Sequence, residues 1–167
     1  MKLAFDVHYK EAGAKTVCAV FEKWEDKIAK SFIIKYLAEV EDYIPGQFYK
    51  RELPCIMTVL EDLDLSKIEL IIIDGFVVLD DDNKPGLGFY LYEKLNRQIP
   101  IVGVAKSGFH DNEKNVKKVL RGDSKKPLYV TAAGMDVHEA AMNVQDMFGD
   151  FRMPDILREV DLKTKED

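Results

Sequence analysis

The chain is poor in the residues that announce the commonest site chemistries. Its 167 residues include two cysteines, three histidines and one tryptophan. The cysteines, Cys18 and Cys55, sit in apolar strand-like and helix-like contexts. That excludes a disulfide scaffold or a cysteine-rich zinc site and predicts small buried hydrophobes in a reducing cytoplasm. No stretch approaches the roughly 20 apolar residues of a membrane span. The opening MKLAFDVHYKE lacks the apolar core of a secretory signal. Basic charge is not in excess either: 24 Lys and Arg face 30 Asp and Glu, for a net charge of −6. That is the wrong sign for gripping nucleic acid by bulk attraction. It leaves room for a carboxylate cluster, which carries negative charge until a divalent ion neutralises it. With no repeat, linker or low-complexity stretch, residues 1–167 read as a single domain with a sizeable core.

What is present is centred on Lys67 to Lys106. KIELIIIDG is an apolar run that stops on Asp74-Gly75, and PIVGVAK is a second that stops on Lys106. Continuous Ile, Val and Leu predict strands covered on both faces of a sheet. An ionised group at the end of such a strand is poorly explained by core packing. Asp74 is therefore the expected centre of a metal-dependent site.

The rest of the chain supplies the frame. Leu3–Tyr9, Lys15–Phe21 and Ser31–Val40 read as three strands, an antiparallel meander in which a glycine turn joins the first two. Tyr43–Gly46 (YIPG) is a turn, in which Pro45 sets φ and Gly46 permits positive φ. Glu52–Leu63 reads as a helix with Pro54 in its first turn. Ile68–Ile73 is the central strand, Leu87–Leu95 a helix, Ile101–Ala105 a strand, and Glu113–Arg121 a short helix or exposed strand. Leu128–Ala132 is a further strand, followed by helices at Val137–Phe148 and Pro154–Lys163. A three-stranded meander followed by alternating helices and strands predicts an α/β architecture, a mixed central sheet flanked by helices, in the order of the ribonuclease H-like fold. Lys117, Lys118, Arg121, Lys125 and Lys126 form a basic group that can meet phosphates or water.

Asp6 in the first strand, Glu52 at a helix start and Asp74 make a carboxylate set if the first strand pairs beside the central one. Taken singly, each has an ordinary explanation: an exposed strand residue, a helix N-terminal charge and a strand-ending turn. Together they form an oxygen-rich site of the kind that suits Mg²⁺ or Mn²⁺. Such ions position a water for attack on phosphorus. Lys106 could orient that water or neutralise a phosphate.

The motifs resemble those of the endonuclease V family. They are DVHY at Asp6–Tyr9, YIPG at Tyr43–Gly46 followed by KRELP at Lys50–Pro54, and IDG at Ile73–Gly75. GVAK at Gly103–Lys106, VLR and KPLYVT between Val119 and Thr131, and FRMP at Phe151–Pro154 complete the series. The resemblance implies a metal-dependent endonuclease with Mg²⁺, or Mn²⁺ in its place, acting at inosine-type bases in DNA or RNA. It implies Asp6, Glu52 and Asp74 as metal-binding carboxylates and Lys106 as the site lysine. It also implies Tyr43, Ile44, Pro45 and Gly46 as a wedge that helps extrude a nucleotide, with Gly75, Gly103 and Val104 near the base pocket. Two segments depart from the family pattern. LDDDNKPGLGFYLYEKL replaces a histidine-bearing segment, and Met135 stands where the family has a histidine. Asp136 or His138 then becomes the candidate fourth ligand. A monomer is expected. The alternative expectation is a divergent member that binds nucleic acid or another partner without efficient catalysis.

Overall fold

The computed structural model describes residues 1–167 apart from Ala12, Glu39, Glu41, Tyr43, Gly46, His110 and the side chain of Phe48. Strands β1 (Lys2–Lys10), β2 (Gly13–Phe21) and β3 (Ser31–Leu37) form the expected antiparallel meander. Helix α1 (Phe48–Leu60) crosses to β4 (Leu70–Asp74), which lies parallel to β1. Helix α2 (Leu87–Lys94) leads to β5 (Ile101–Ala105), parallel to β4. The short β6 (Lys117–Val119) and β7 (Leu128–Ala133) pair antiparallel, and β7 runs antiparallel to β5. Helices α3 (Val137–Asp146) and α4 (Asp155–Lys165) follow. The seven strands stand in the order β3-β2-β1-β4-β5-β7-β6.

Strand alternation divides the core between the two faces. Ala4, Val17, Ile72, Val102 and Val104 face Ala140, Ala141 and Val144 of α3 and Ile156 and Val160 of α4. Leu3, Phe5, Ile71, Ile73 and Ile101 face Ile56, Val59 and Leu60 of α1 and Leu87 and Leu91 of α2. The unbroken Ile run of β4 is thus buried on both sides, as its composition predicts. Truncating one of these isoleucines to alanine costs about 2–5 kcal/mol.

Several expectations shift. Helix α1 begins at Phe48, four residues before Glu52, so Pro54 lies inside the helix rather than in its first turn. Of the helix and the exposed strand open to residues 113–121, the structure takes the strand, three residues long at Lys117–Val119. Arg121 leaves the basic group: it is 6% exposed and donates to the carbonyls of Gln145, Met147, Gly149, Phe151 and Arg152. Lys117, Lys118, Lys125 and Lys126 remain exposed. The first two sit on the edge strand β6, where lysines discourage edge-to-edge pairing.

Candidate active site

The parallel register of β1 and β4 builds the centre. Phe5 is paired with Ile73, so the next residues, Asp6 and Asp74, leave adjacent strands side by side. Alternation turns both toward the α4 layer. On the other flank Asp74 pairs with Val104, and Lys106, two residues further, projects from the same face. Helix α4 closes the cleft with Asp161, whose Oδ2 lies 4.0 Å from Nζ of Lys106 and 3.1 Å from Nζ of Lys165. Glu52 approaches from α1, in the opposite layer, and shares with Asp74 the wall of a second cavity at the strand ends.

Four carboxylates so placed repel one another. Asp6 is pushed up to about 8, first by burial, then by the charge of Asp74 and by a hydrogen bond its proton makes to Asp161. The Val7 N–H, 2.9 Å from Asp6 Oδ1, pulls the other way. Glu52 is also pushed up to about 8, by burial and then by Asp74, against the pull of Arg51. Asp74 is raised chiefly by burial among its neighbours, partly offset by Lys106. It keeps an open path to solvent, so water screens it more than Asp6. Burial is also the largest influence on Asp161. There the bonds from Lys165 and Asp6, with the charge of Lys106, outweigh it and hold the carboxyl below its usual range.

Among the described residues no three Asp, Glu, His or Cys side chains already stand at the spacing that holds an ion. Asp161 is instead engaged by two ammonium groups, and Asp6 by the Val7 N–H. The donor chemistry nevertheless fits a hard divalent cation. All four groups offer oxygen, they come from β1, β4, α1 and α4, and three of them, Asp6, Glu52 and Asp74, are destabilised as anions until positive charge arrives.

The other expected site residues fall in different places. Ile44 is 49% exposed and Pro45 is exposed, with the Ile44 carbonyl accepting from Gln47 N–H at 3.0 Å. Tyr43 and Gly46, the other two wedge residues, lie outside the described residues. Gly75 lines a cavity of about 260 Å³ with Tyr9, Glu52, Asp74, Phe76, Leu79, Leu87 and Phe109. Its φ of 138° favours glycine. Gly103 and Val104 do not reach that wall. A Cβ on Gly103 would stand 2.5 Å from the Gly75 carbonyl oxygen and 2.7 Å from Thr131 Oγ1, which accepts from Val77 N–H at 2.8 Å. Gly103 therefore lets the loop after Asp74 lie directly on β5. Val104, 2% exposed, is core beneath the carboxylates.

Asp136 and His138 do not line either cavity of the cleft. Asp136 caps α3, accepting from Glu139 N–H at 3.0 Å, and His138 is exposed. The fourth carboxylate beside Asp6 is Asp161, which sequence reasoning passed over. Its signal is position: one turn after Leu157 and next to buried Val160, it borders the apolar face of α4.

Comparisons with known proteins agree with this architecture. The sequence pattern described as Endonuclease V matches residues 3–121. Endonuclease V of Alkalilimnicola ehrlichii is 30% identical over 138 residues, covering 71% of this chain; the chain spans 59% of that relative's length. The Ciona intestinalis endonuclease V, solved with DNA containing an inosine followed by a ribo-adenosine, superposes with a TM-score of 0.83 at 18% identity. That match covers 98% of this chain and 83% of the other. The catalytic domain of human endonuclease V gives a TM-score of 0.74 at 19% identity, covering 98% and 80%. With its motifs in order and its mixed sheet matching theirs, the chain belongs to the endonuclease V family.

Proposed function

We propose that this protein is a divalent-metal-dependent endonuclease that hydrolyses a phosphodiester beside an inosine-type or otherwise flipped base in DNA or RNA. The observation that carries the proposal is the pairing of Phe5 with Ile73, which sets Asp6 and Asp74 side by side where Glu52 and Asp161 converge. Asp6, Glu52, Asp74 and Asp161 would hold Mg²⁺, with Mn²⁺ able to replace it. Such an ion activates a water and stabilises the leaving oxygen. Lys106 offers an ammonium to a non-bridging phosphate oxygen at the same cleft. Tyr43, Ile44, Pro45 and Gly46 would fill the gap left in the base stack, since apolar groups on a stiff turn replace lost stacking. The extruded base would enter the cavity under Gly75, whose apolar walls, Phe76, Leu79, Leu87 and Phe109, suit a planar ring. The inosine-containing DNA bound by the Ciona intestinalis relative supports this choice of substrate. Two buried free thiols, Cys18 and Cys55, support a reducing cytoplasmic setting, and we take the working form to be a monomer.

The test is cleavage of inosine-containing DNA and RNA with and without Mg²⁺ or Mn²⁺. Asp74→Ala is expected to lose activity by about a thousandfold or more. Absence of cleavage with either ion, or full activity in the variant, sinks the proposal. Mn²⁺ binding without cleavage of either substrate would favour a binding protein instead.

A further inference from the structure

The carboxylates of the cleft are not equally engaged. Asp6 accepts from the Val7 N–H at 2.9 Å, and Glu52 stands beside Arg51. Asp161 alone has an oxygen engaged by two ammonium groups, Lys106 at 4.0 Å and Lys165 at 3.1 Å. These lysines differ in origin. Lys106 comes from the end of β5 and also faces Asp74. Lys165 comes from α4 itself, one turn beyond Asp161, so the helix presents anion and cation on one face. The Lys165 side chain is 55% exposed and that of Asp161 is 26% exposed. Such a half-open pair is weak because water screens it. It suffices to set where the Asp161 oxygen points, and it yields to a doubly charged competitor.

Resting on the reading of these carboxylates as a divalent-ion site, we infer that Lys165 is a built-in competitor of the metal: its ammonium occupies the Asp161 oxygen that the ion needs and must be displaced when the ion binds. Lys165 thereby raises the concentration of free ion at which the site fills. Asp161 is not left as an unpaired anion below that concentration. Once displaced, the ammonium is tethered within a helical turn of the cleft and repels the ion it has admitted.

Calorimetric titration of the full chain with Mn²⁺, without nucleic acid, tests this. Lys165→Ala removes a unit charge a few ångströms from a divalent ion, which even in a water-like dielectric corresponds to about tenfold tighter binding. The gain shrinks as salt is raised, because the pair is partly solvated. Lys165→Arg restores the cation and brings affinity back toward that of the unaltered protein. Lys163→Ala removes the same charge from the same helix, but its Nζ lies over the Phe32 ring, 4.7 Å from the centroid. Its affinity stays within about twofold of the unaltered protein. Equal Mn²⁺ affinity with and without Lys165, or the same gain from Lys163→Ala, overturns the inference while the metal site stands. If neither the unaltered protein nor Lys165→Ala binds Mn²⁺, inference and metal site fall together.

Discussion

The α3/α4 layer and the α1/α2 layer cover one sheet with similar apolar side chains but are tied down differently, the first by cations that donate to backbone carbonyls. Arg121 gathers five carbonyls of residues 145–152, the segment that leads from α3 into α4. Arg152 donates to the carbonyls of Lys106 and Pro127, tying the start of α4 to the ends of β5 and β7. Lys15 donates to the carbonyls of Lys163 and Glu166, at the other end of α4. Helices α1 and α2 are fastened through rings instead: the Arg51 guanidinium of α1 lies over the Tyr9 ring of β1, 3.5 Å from its centroid. They meet through the stacked rings of Tyr49 and Tyr90, with centroids 3.7 Å apart. Each layer brings a carboxylate to the cleft: Asp161 from α4 and Glu52 from α1. The α1/α2 layer also lines the cavity under Gly75 with Leu87.

The sharpest way to break this contrast is Arg121→Met. It orphans several buried carbonyls and is expected to cost about 3–5 kcal/mol in urea unfolding, whereas Tyr90→Ala in the other layer costs about 1 kcal/mol. Equal losses would show that the two layers are fastened alike. Next in size is Asp161→Asn, expected to lower single-turnover cleavage roughly a hundredfold. Asp136→Ala leaves the rate unchanged and removes about 1 kcal/mol of stability as a lost helix cap. The reverse result would return the fourth ligand to the start of α3. Phe109→Ala should raise KM several-fold with little change in kcat, because it trims the cavity wall without touching the carboxylates. A fall in kcat alone would place Phe109 with the chemistry.

A separate prediction concerns pH dependence. Asp6 and Glu52 are held near 8 in the folded protein, chiefly by burial, while in an unfolded chain both ionise near pH 4. Between those limits the folded state binds more protons, so stability falls as pH rises from about 4 to about 8. Thermal melts of ion-free protein across that range should decline, and Asp6→Asn should flatten the slope. A rise over the same window would contradict the carboxylate arrangement.

Much of this was legible in the chain. The Ile run closing on Asp74 and the alternation around Asp6 are local patterns, and the sheet turned both into neighbours. Asp161 was not legible because an aspartate with a lysine one turn later looks like any solvated helix pair. Only the docking of α4 on β1 and β2 shows which side it faces. Gly103 and Val104 stand behind the cavity under Gly75 rather than in its wall for a related reason. Their motif locates them beside Lys106, but strand alternation and the loop crossing at Val77 decide which atoms reach the cavity. Arg121 shows the same limit, since a lysine-rich neighbourhood gives no sign that one guanidinium turns inward to meet five carbonyls.

The carboxylate set draws on the first strand and the final helix, with Asp6 and Asp161 separated by nearly the whole chain. During synthesis the sheet can form around Asp6 and Asp74 well before α4 leaves the ribosome. A chain that stops short of α4 would therefore hold Asp6 and Asp74 side by side while lacking Asp161. Fraying of α4 in the folded protein withdraws Asp161 from the cleft before the sheet itself gives way.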